Sequence, residues 1–199
     1  MIHQESSLEE ILAHVWGTLA RGGADAKHPY HFPVLATSSG TDIHQRTVVL
    51  RHTNIGKRHL VCYSDVRTKK VHDLKLNPSA HWLFYDHQNK EQVRATTKAT
   101  LHHQDEVSRQ IWEQIAPQNR GDYLGSNAPG TKVEQYTSNL PEVFLHQPTV
   151  ENTEAGWKNF CVIVSEVQAI DFLKLMKGGH LRSKLVWEGN QWHAHWIAP

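Results

Sequence analysis

The chain has 199 residues, a length that favours a single domain built around one continuous core. Its 21 Lys and Arg against 20 Asp and Glu leave a net charge of +1, which argues against a global field drawing it to nucleic acid or to an acidic membrane. Two cysteines, Cys62 and Cys161, sit in apolar strand-like runs and read as buried reduced thiols rather than a disulfide scaffold. Met1 to Glu5 form neither a positive nor an apolar leader, and no apolar run approaches membrane-spanning length. A cytoplasmic location is therefore expected. The 16 histidines are scattered along the chain.

The first element is a helix over about Ser7 to Arg21. Leu8, Ile11, Leu12, Val15, Trp16 and Leu19 recur at three- and four-residue steps and give one apolar stripe. Ser6 with Glu9, or Ser7 with Glu10, can form a capping box, and Gly22-Gly23 is expected to end the helix. The pattern then changes to period two. Strands are expected over Phe32 to Thr37, His44 to His52 and His59 to Ser64, with turns at Ser38 to Asp42 and Asn54 to Lys57. A short helix from Lys69 to Leu76 stops at Asn77-Pro78. Strands follow at Ala80 to Tyr85 and Gln92 to Leu101. A second amphipathic helix, Asp105 to Ile115, carries Val107, Ile111 and Ile115 on one face and stops at Pro117. Residues Gln118 to Thr149 show no period, which for so long a stretch points to function or to contact with a partner. The remainder is β again: Phe160 to Phe172, Leu181 to Trp187 and Trp192 to Ile197. Short antiparallel strands with few helices predict a mainly β fold, a small barrel with flanking helices. No G-x-G-x-x-G and no βαβ pattern occurs, which argues against a dinucleotide fold.

The chemistry concentrates in Tyr63 to Leu74. Thr68 is a good N-cap, and Lys69 and Lys70 occupy the first helical turn, the wrong end for cations because the helix dipole is already positive there. Either this is a solvated helix start, or backbone N–H groups, the Thr68 hydroxyl and two ammonium groups hold a phosphate. Arg46 and Arg51 would point to opposite faces of one strand, so that one can face the same anion as a second clamp. Gln92, Arg94 and Thr96 share a strand face able either to hydrogen-bond a flat ring or simply to face solvent.

Taken in order, Arg46-Thr47-Val48-Val49-Leu50, Tyr63-Ser64, Lys69-Lys70, Asn77-Pro78-Ser79-Ala80 running to Phe84-Tyr85, and Gln92-Val93-Arg94 resemble the FMN-binding core of the pyridoxamine 5'-phosphate oxidase family. His180-Leu181-Arg182, Trp192 and the closing Ile197-Ala198-Pro199 resemble that family's C-terminal end more weakly. The resemblance implies an antiparallel FMN-binding split barrel over residues 1–199, working as a homodimer with FMN between two subunits. Arg46 and Lys70 would bind the FMN phosphate with Lys69 assisting, and Thr47, Val48, Val49, Leu50 and Arg51 would run along the flavin. Tyr63 and Ser64 would contact the cofactor, Gln92 would bond the ring system, and Arg182 would reach it from the C-terminal strand. Thr131, beside Gly130, would approach the partner's FMN. Arg51 and His180 would serve the substrate.

The departures concern that substrate. Gln118 and Asp122 stand where the family has an arginine and a serine, and Gly178 stands where it has an arginine. Asp122 would repel a phosphorylated substrate, and Arg120 is the nearby cation that could compensate. The expectation is a flavoprotein oxidoreductase acting on a small molecule, with a degraded pyridoxamine phosphate site and no identifiable side-chain catalyst. One alternative is a flavin-binding protein without turnover. Another is a histidine-rich metal protein using His193 and His195, which share a strand face; His102 and His103 point to opposite faces, and no metal site is expected.

Overall fold

The computed structural model describes residues 2–142, 144 and 147–199. Helix α1, Leu8–Ala24, is capped by Ser7, whose hydroxyl accepts from Glu10 N while the Glu10 carboxylate accepts from Ser7 N. Gly22 and Gly23 do not end it. Gly22 is needed for close approach instead, since a Cβ there would lie 2.7 Å from Tyr30 Cβ. Ile11, Val15, Trp16 and Leu19 are buried, whereas Leu8 and Leu12 are only half-buried, so the stripe is centred one position off the expected row.

Among the described residues nine strands follow, all paired antiparallel: β1 Val34–Ser39, β2 Asp42–Thr47, β3 His52–Asn54, β4 His59–Asp65, β5 Ser79–Asp86, β6 Glu91–His102, β7 Phe160–Lys174, β8 Leu181–Glu188 and β9 Gln191–Trp196. The main order is β2-β1-β5-β6-β7-β4-β3, with β8 on β7 and β9 on β8. β6 runs along almost the whole of β7. The other edge of β7 is divided: its first half pairs with β4 and its second half with β8. A bulge at Thr96/Thr97, where the facing register skips Gln168, bends the long pair near the place where its neighbour changes. This division splits the sheet, and the structure is a mainly β split barrel with flanking helices.

The expected strand His44 to His52 is broken. Residues 48–51 cross between the two halves: Val48 N and Leu50 N donate to Pro33 O and His31 O, and Arg51 N then donates to Val61 O. Val48 and Leu50 point into the core, while Thr47 and Arg51 are exposed and Val49 is half-buried.

The main core joins α1, helix α2 (Lys69–Leu76) and the inner sheet face. A smaller cluster, Val61, Trp112, Tyr123, Phe160 and Val162, seats helix α3 (Glu106–Gln114) on β4 and β7. Trp112, fully buried, anchors α3, whereas Val107 of the expected apolar face is exposed. After α3 come two 3-10 turns, Pro117–Asn119 and Gly121–Tyr123, and a longer connection to helix α4, Val150–Thr153. Val143, Leu145 and His146 of that stretch lie outside the described residues. Both cysteines are free and buried, and burial pushes each thiol up to about 12. No helix among the described residues is long and apolar enough to cross a membrane.

Candidate functional site

β2, β4 and the start of α2 bring Arg46, Ser64 and Lys70 to one place. Arg46 Nη1 donates to Leu35 O at 3.1 Å and to Thr37 Oγ1 at 2.8 Å. Among the described residues its Nε and Nη2 have no partner. Among the described residues Lys70 Nζ makes one bond, to Ser64 Oγ at 3.0 Å, and keeps two donors free. Burial lowers the Lys70 ammonium below its ordinary value, and the nearby Arg46 charge pushes the same way. Burial also lowers Arg46, partly offset by Asp73. Two half-buried cations side by side with open donors are an unfavourable arrangement unless an anion joins them.

The helix start reinforces this. Thr68 occupies the N-cap position, but its hydroxyl donates to Asp65 O at 2.8 Å and does not cap α2. Among the described residues the N–H groups of Lys69 and Lys70 have no acceptor, so they too are available to an anion. Lys69 turns away: its ammonium lies 3.1 Å from Asp73 Oδ1 and 3.2 Å from Ser39 Oγ. Arg67 is committed as well, forked onto Asp65 and bonded to Gly125 O and Ser126 O.

Alternation along β4 points Ser64 toward Lys70 and Tyr63 the other way, where its ring meets Phe160 edge-on at 5.2 Å. Arg51 sits over the Tyr63 ring at 5.5 Å, and together with Ile111, Ala116 and Tyr123 they line a cleft of about 320 Å³. A smaller adjoining cleft holds Arg51, Gln118 and Asp122. Arg120 does not reach either one. It is buried, donates to Ile115 O, Trp112 O and Thr153 Oγ1, and stacks on Trp112 at 4.5 Å. The compensating cation considered from sequence is thus part of the α3 support.

Gln92 and Arg182 lie elsewhere. Directly paired residues share a face, and Tyr85, Gln92, Leu173 and Arg182 form one row across β5 to β8 on the outer face. Arg46 belongs to the row Leu35, Trp82, Ala95, Ile170, Leu185, which is buried on the inner face. Within one chain, then, Arg46 and Gln92 point to opposite sides of the sheet. Arg182 is forked onto Asp171, with Nε at 3.1 Å and Nη2 at 3.0 Å, and that bond raises its pKa. His180 and Thr131 are both exposed. His193 and His195 are exposed on β9, and among the described residues no three His, Cys, Asp or Glu side chains gather to hold a metal.

Sequence reasoning missed Thr37 and Asp73. Asp73 carried one signal, its place four residues after Lys69 on a helix, and Thr37 carried none.

Comparison with known proteins agrees with the fold. Residues 13–103 match the family model described as pyridoxamine 5'-phosphate oxidase, FMN-binding domain. That segment contains Arg46, Ser64, Lys70 and Gln92 but not Thr131, His180 or Arg182. No curated protein sequence matches the chain. Among solved structures, a pyridoxamine 5'-phosphate oxidase-related, FMN binding protein from Nostoc punctiforme superposes with TM-score 0.75 at 18% identity, covering 99% of this chain and 100% of its own. PhzG from Burkholderia lata, solved with tetrahydrophenazine-1-carboxylic acid, gives 0.70 at 15% identity, covering 98% and 95%. Campylobacter jejuni ChuZ gives 0.56 at 12% identity, covering 98% of this chain and 65% of its own.

Proposed function

We propose that this chain, a pyridoxamine 5'-phosphate oxidase-like split barrel whose residues 13–103 match an FMN-binding domain, is an FMN-dependent oxidoreductase acting on a small molecule other than pyridoxamine phosphate. The observation that carries the cofactor site is the pair Arg46 and Lys70 with their open donors beside an uncapped helix start. These groups suit a phosphate: a guanidinium edge, an ammonium steadied by the Ser64 hydroxyl, and two backbone N–H groups. FMN, when bound, supplies two-electron chemistry at its ring, and the protein's part is to hold and orient it. Thr47, Val49 and Arg51 are the side chains of the crossing segment turned outward to run beside the ring. Val48 and Leu50, whose side chains are in the core, contribute backbone only.

Gln92 and Arg182 serve in trans. Because they face away from Arg46, a complete site needs the outer face of a second copy, and the 199 residues act as one domain of a homodimer. Thr131 lies on an exposed run that also presents Tyr136, and its exposure supports a contact with the partner. The substrate meets Arg51 and Tyr63 on one chain and His180 on the other. With Arg120 spent on α3 and Asp122 beside Arg51, that cleft suits a neutral or singly charged substrate better than a phosphate dianion.

A purified sample tests the reading in one series. It should be yellow with a flavin spectrum, sediment as a dimer, and turn over pyridoxamine phosphate far below the ordinary enzyme range of about 10⁴ M⁻¹s⁻¹. A monomer that still holds FMN would break the two-chain site, and efficient turnover would break the substrate assignment.

A further inference from the structure

Asp73 is fully buried on α2, and nothing in the cofactor site as described uses it. Its carboxylate accepts from Thr37 Oγ1 at 2.8 Å and from Lys69 Nζ at 3.1 Å, and it lies 3.0 Å from His44 Nδ1. Burial alone would push this carboxyl up, but the Thr37 hydroxyl and the Lys69 ammonium outweigh it and hold the group below its ordinary value. At neutral pH it is therefore a carboxylate that can only accept.

That fixes the direction of a relay. A threonine hydroxyl has one proton, and Thr37 spends it on Asp73, so its lone pairs are left for a donor. The donor is Arg46 Nη1, at 2.8 Å. The same Nη1 also donates to Leu35 O at 3.1 Å, so one corner of the guanidinium is pinned to β1 and the remaining N–H groups are left unpaired among the described residues. Thr37 is itself only 2% exposed, so water does not substitute for it.

We propose that Asp73 and Thr37 are positioning residues for the cofactor phosphate: the relay Asp73–Thr37–Arg46 holds the Arg46 fork preset toward the anion. It rests on the clamp reading above and deepens it. A preset arginine loses less conformational freedom on binding, which is gained as affinity. The relay also accounts for Lys69. A buried carboxylate near a phosphate would repel it, and Lys69 supplies the neutralising charge on Asp73 instead of reaching the phosphate itself.

The test is a titration of apo-protein with FMN and, separately, with riboflavin, which lacks the phosphate. Thr37→Val keeps the shape and removes the relay. It should weaken FMN binding by about tenfold and leave riboflavin nearly unchanged. Thr37→Ser, which restores the hydroxyl, should recover most of the loss. Asp73→Asn should shift the FMN-to-riboflavin ratio the same way as Thr37→Val, and it stands in if the valine variant does not fold. Arg46→Ala separates the two ideas. If Arg46→Ala loses the preference for FMN while Thr37→Val or Asp73→Asn keeps it, the relay is wrong and the clamp stands. If Arg46→Ala keeps the preference, the clamp reading fails and the relay with it. A parallel loss of both ligands in Thr37→Val or Asp73→Asn overturns positioning, because it marks general damage.

Discussion

The two regions around the site use cations in opposite ways. Beside α3, Arg120 is buried and each of its three nitrogens is bonded, to Ile115 O, Trp112 O and Thr153, with the Glu154 carboxylate 3.8 Å away. Beside α2, Arg46 and Lys70 are half-buried and among the described residues keep open donors, although burial lowers the pKa of all three cations. The first arrangement holds the fold together. The second leaves donors open beside an uncapped helix start, as the proposed phosphate clamp requires. The lesson is that the functional cation is found by unspent hydrogen-bond capacity rather than by charge or place in the sequence.

Several variants would sharpen or break that contrast. The largest effect belongs to Arg120→Ala, which leaves two carbonyls without their donor and a cavity against Trp112; about 3–5 kcal/mol of stability should be lost in denaturant unfolding. Its ratio of FMN to riboflavin affinity should not move, and a shift there would put Arg120 in the cofactor site. Acid should act on the fold through Asp73, Glu91 and Asp171, whose pKa values are all lowered in the folded state despite burial. For lowered carboxyls the stabilisation is present above their ordinary range and is lost as pH falls through the folded values. Unfolding midpoints measured from pH 6 downward should show that loss, and Asp73→Asn should flatten part of it. A flat wild-type curve would contradict these assignments. The smallest effect is expected from Lys70→Met in apo-protein. The Lys70 ammonium is lowered in the fold, so the unfolded chain binds the extra proton and wild-type stability should rise as pH climbs through the window just below the ordinary lysine value. Lys70→Met should abolish that rise and lift the apo midpoint slightly at neutral pH. A drop in that midpoint would mean that Lys70 is structural, like Arg120.

Much of the fold was legible from period and punctuation. The helix Lys69–Leu76 and the β6–β7 and β8–β9 strands lie where alternation and Asn77-Pro78 put them. The break between Thr47 and His52 was not legible, because Val48-Val49-Leu50 keeps strand composition while the chain changes partners, and partners are a tertiary property. Gly22 misled for a similar reason: a glycine that stops a helix and one that admits Tyr30 look alike in sequence. In the candidate site, the cationic first turn of α2 was a local signal, and the structure brings Ser64 and Arg46 beside it. The fate of Lys69 had one signal, Asp73 four residues on, whereas those of Lys70 and Arg120 depend on Ser64 and Trp112, which no helical spacing pairs with them.

The central claim is that Lys70 holds a phosphate, and the most direct test is the affinity of Lys70→Ala apo-protein for FMN and for riboflavin. Charge-assisted contacts are worth roughly 1.5–3 kcal/mol, so FMN binding should weaken by about ten- to a hundredfold. The loss for riboflavin should be much smaller. Equal losses for the two ligands, or no loss for either, would contradict the account and leave Lys70 as a buried charge without a role in the cofactor site.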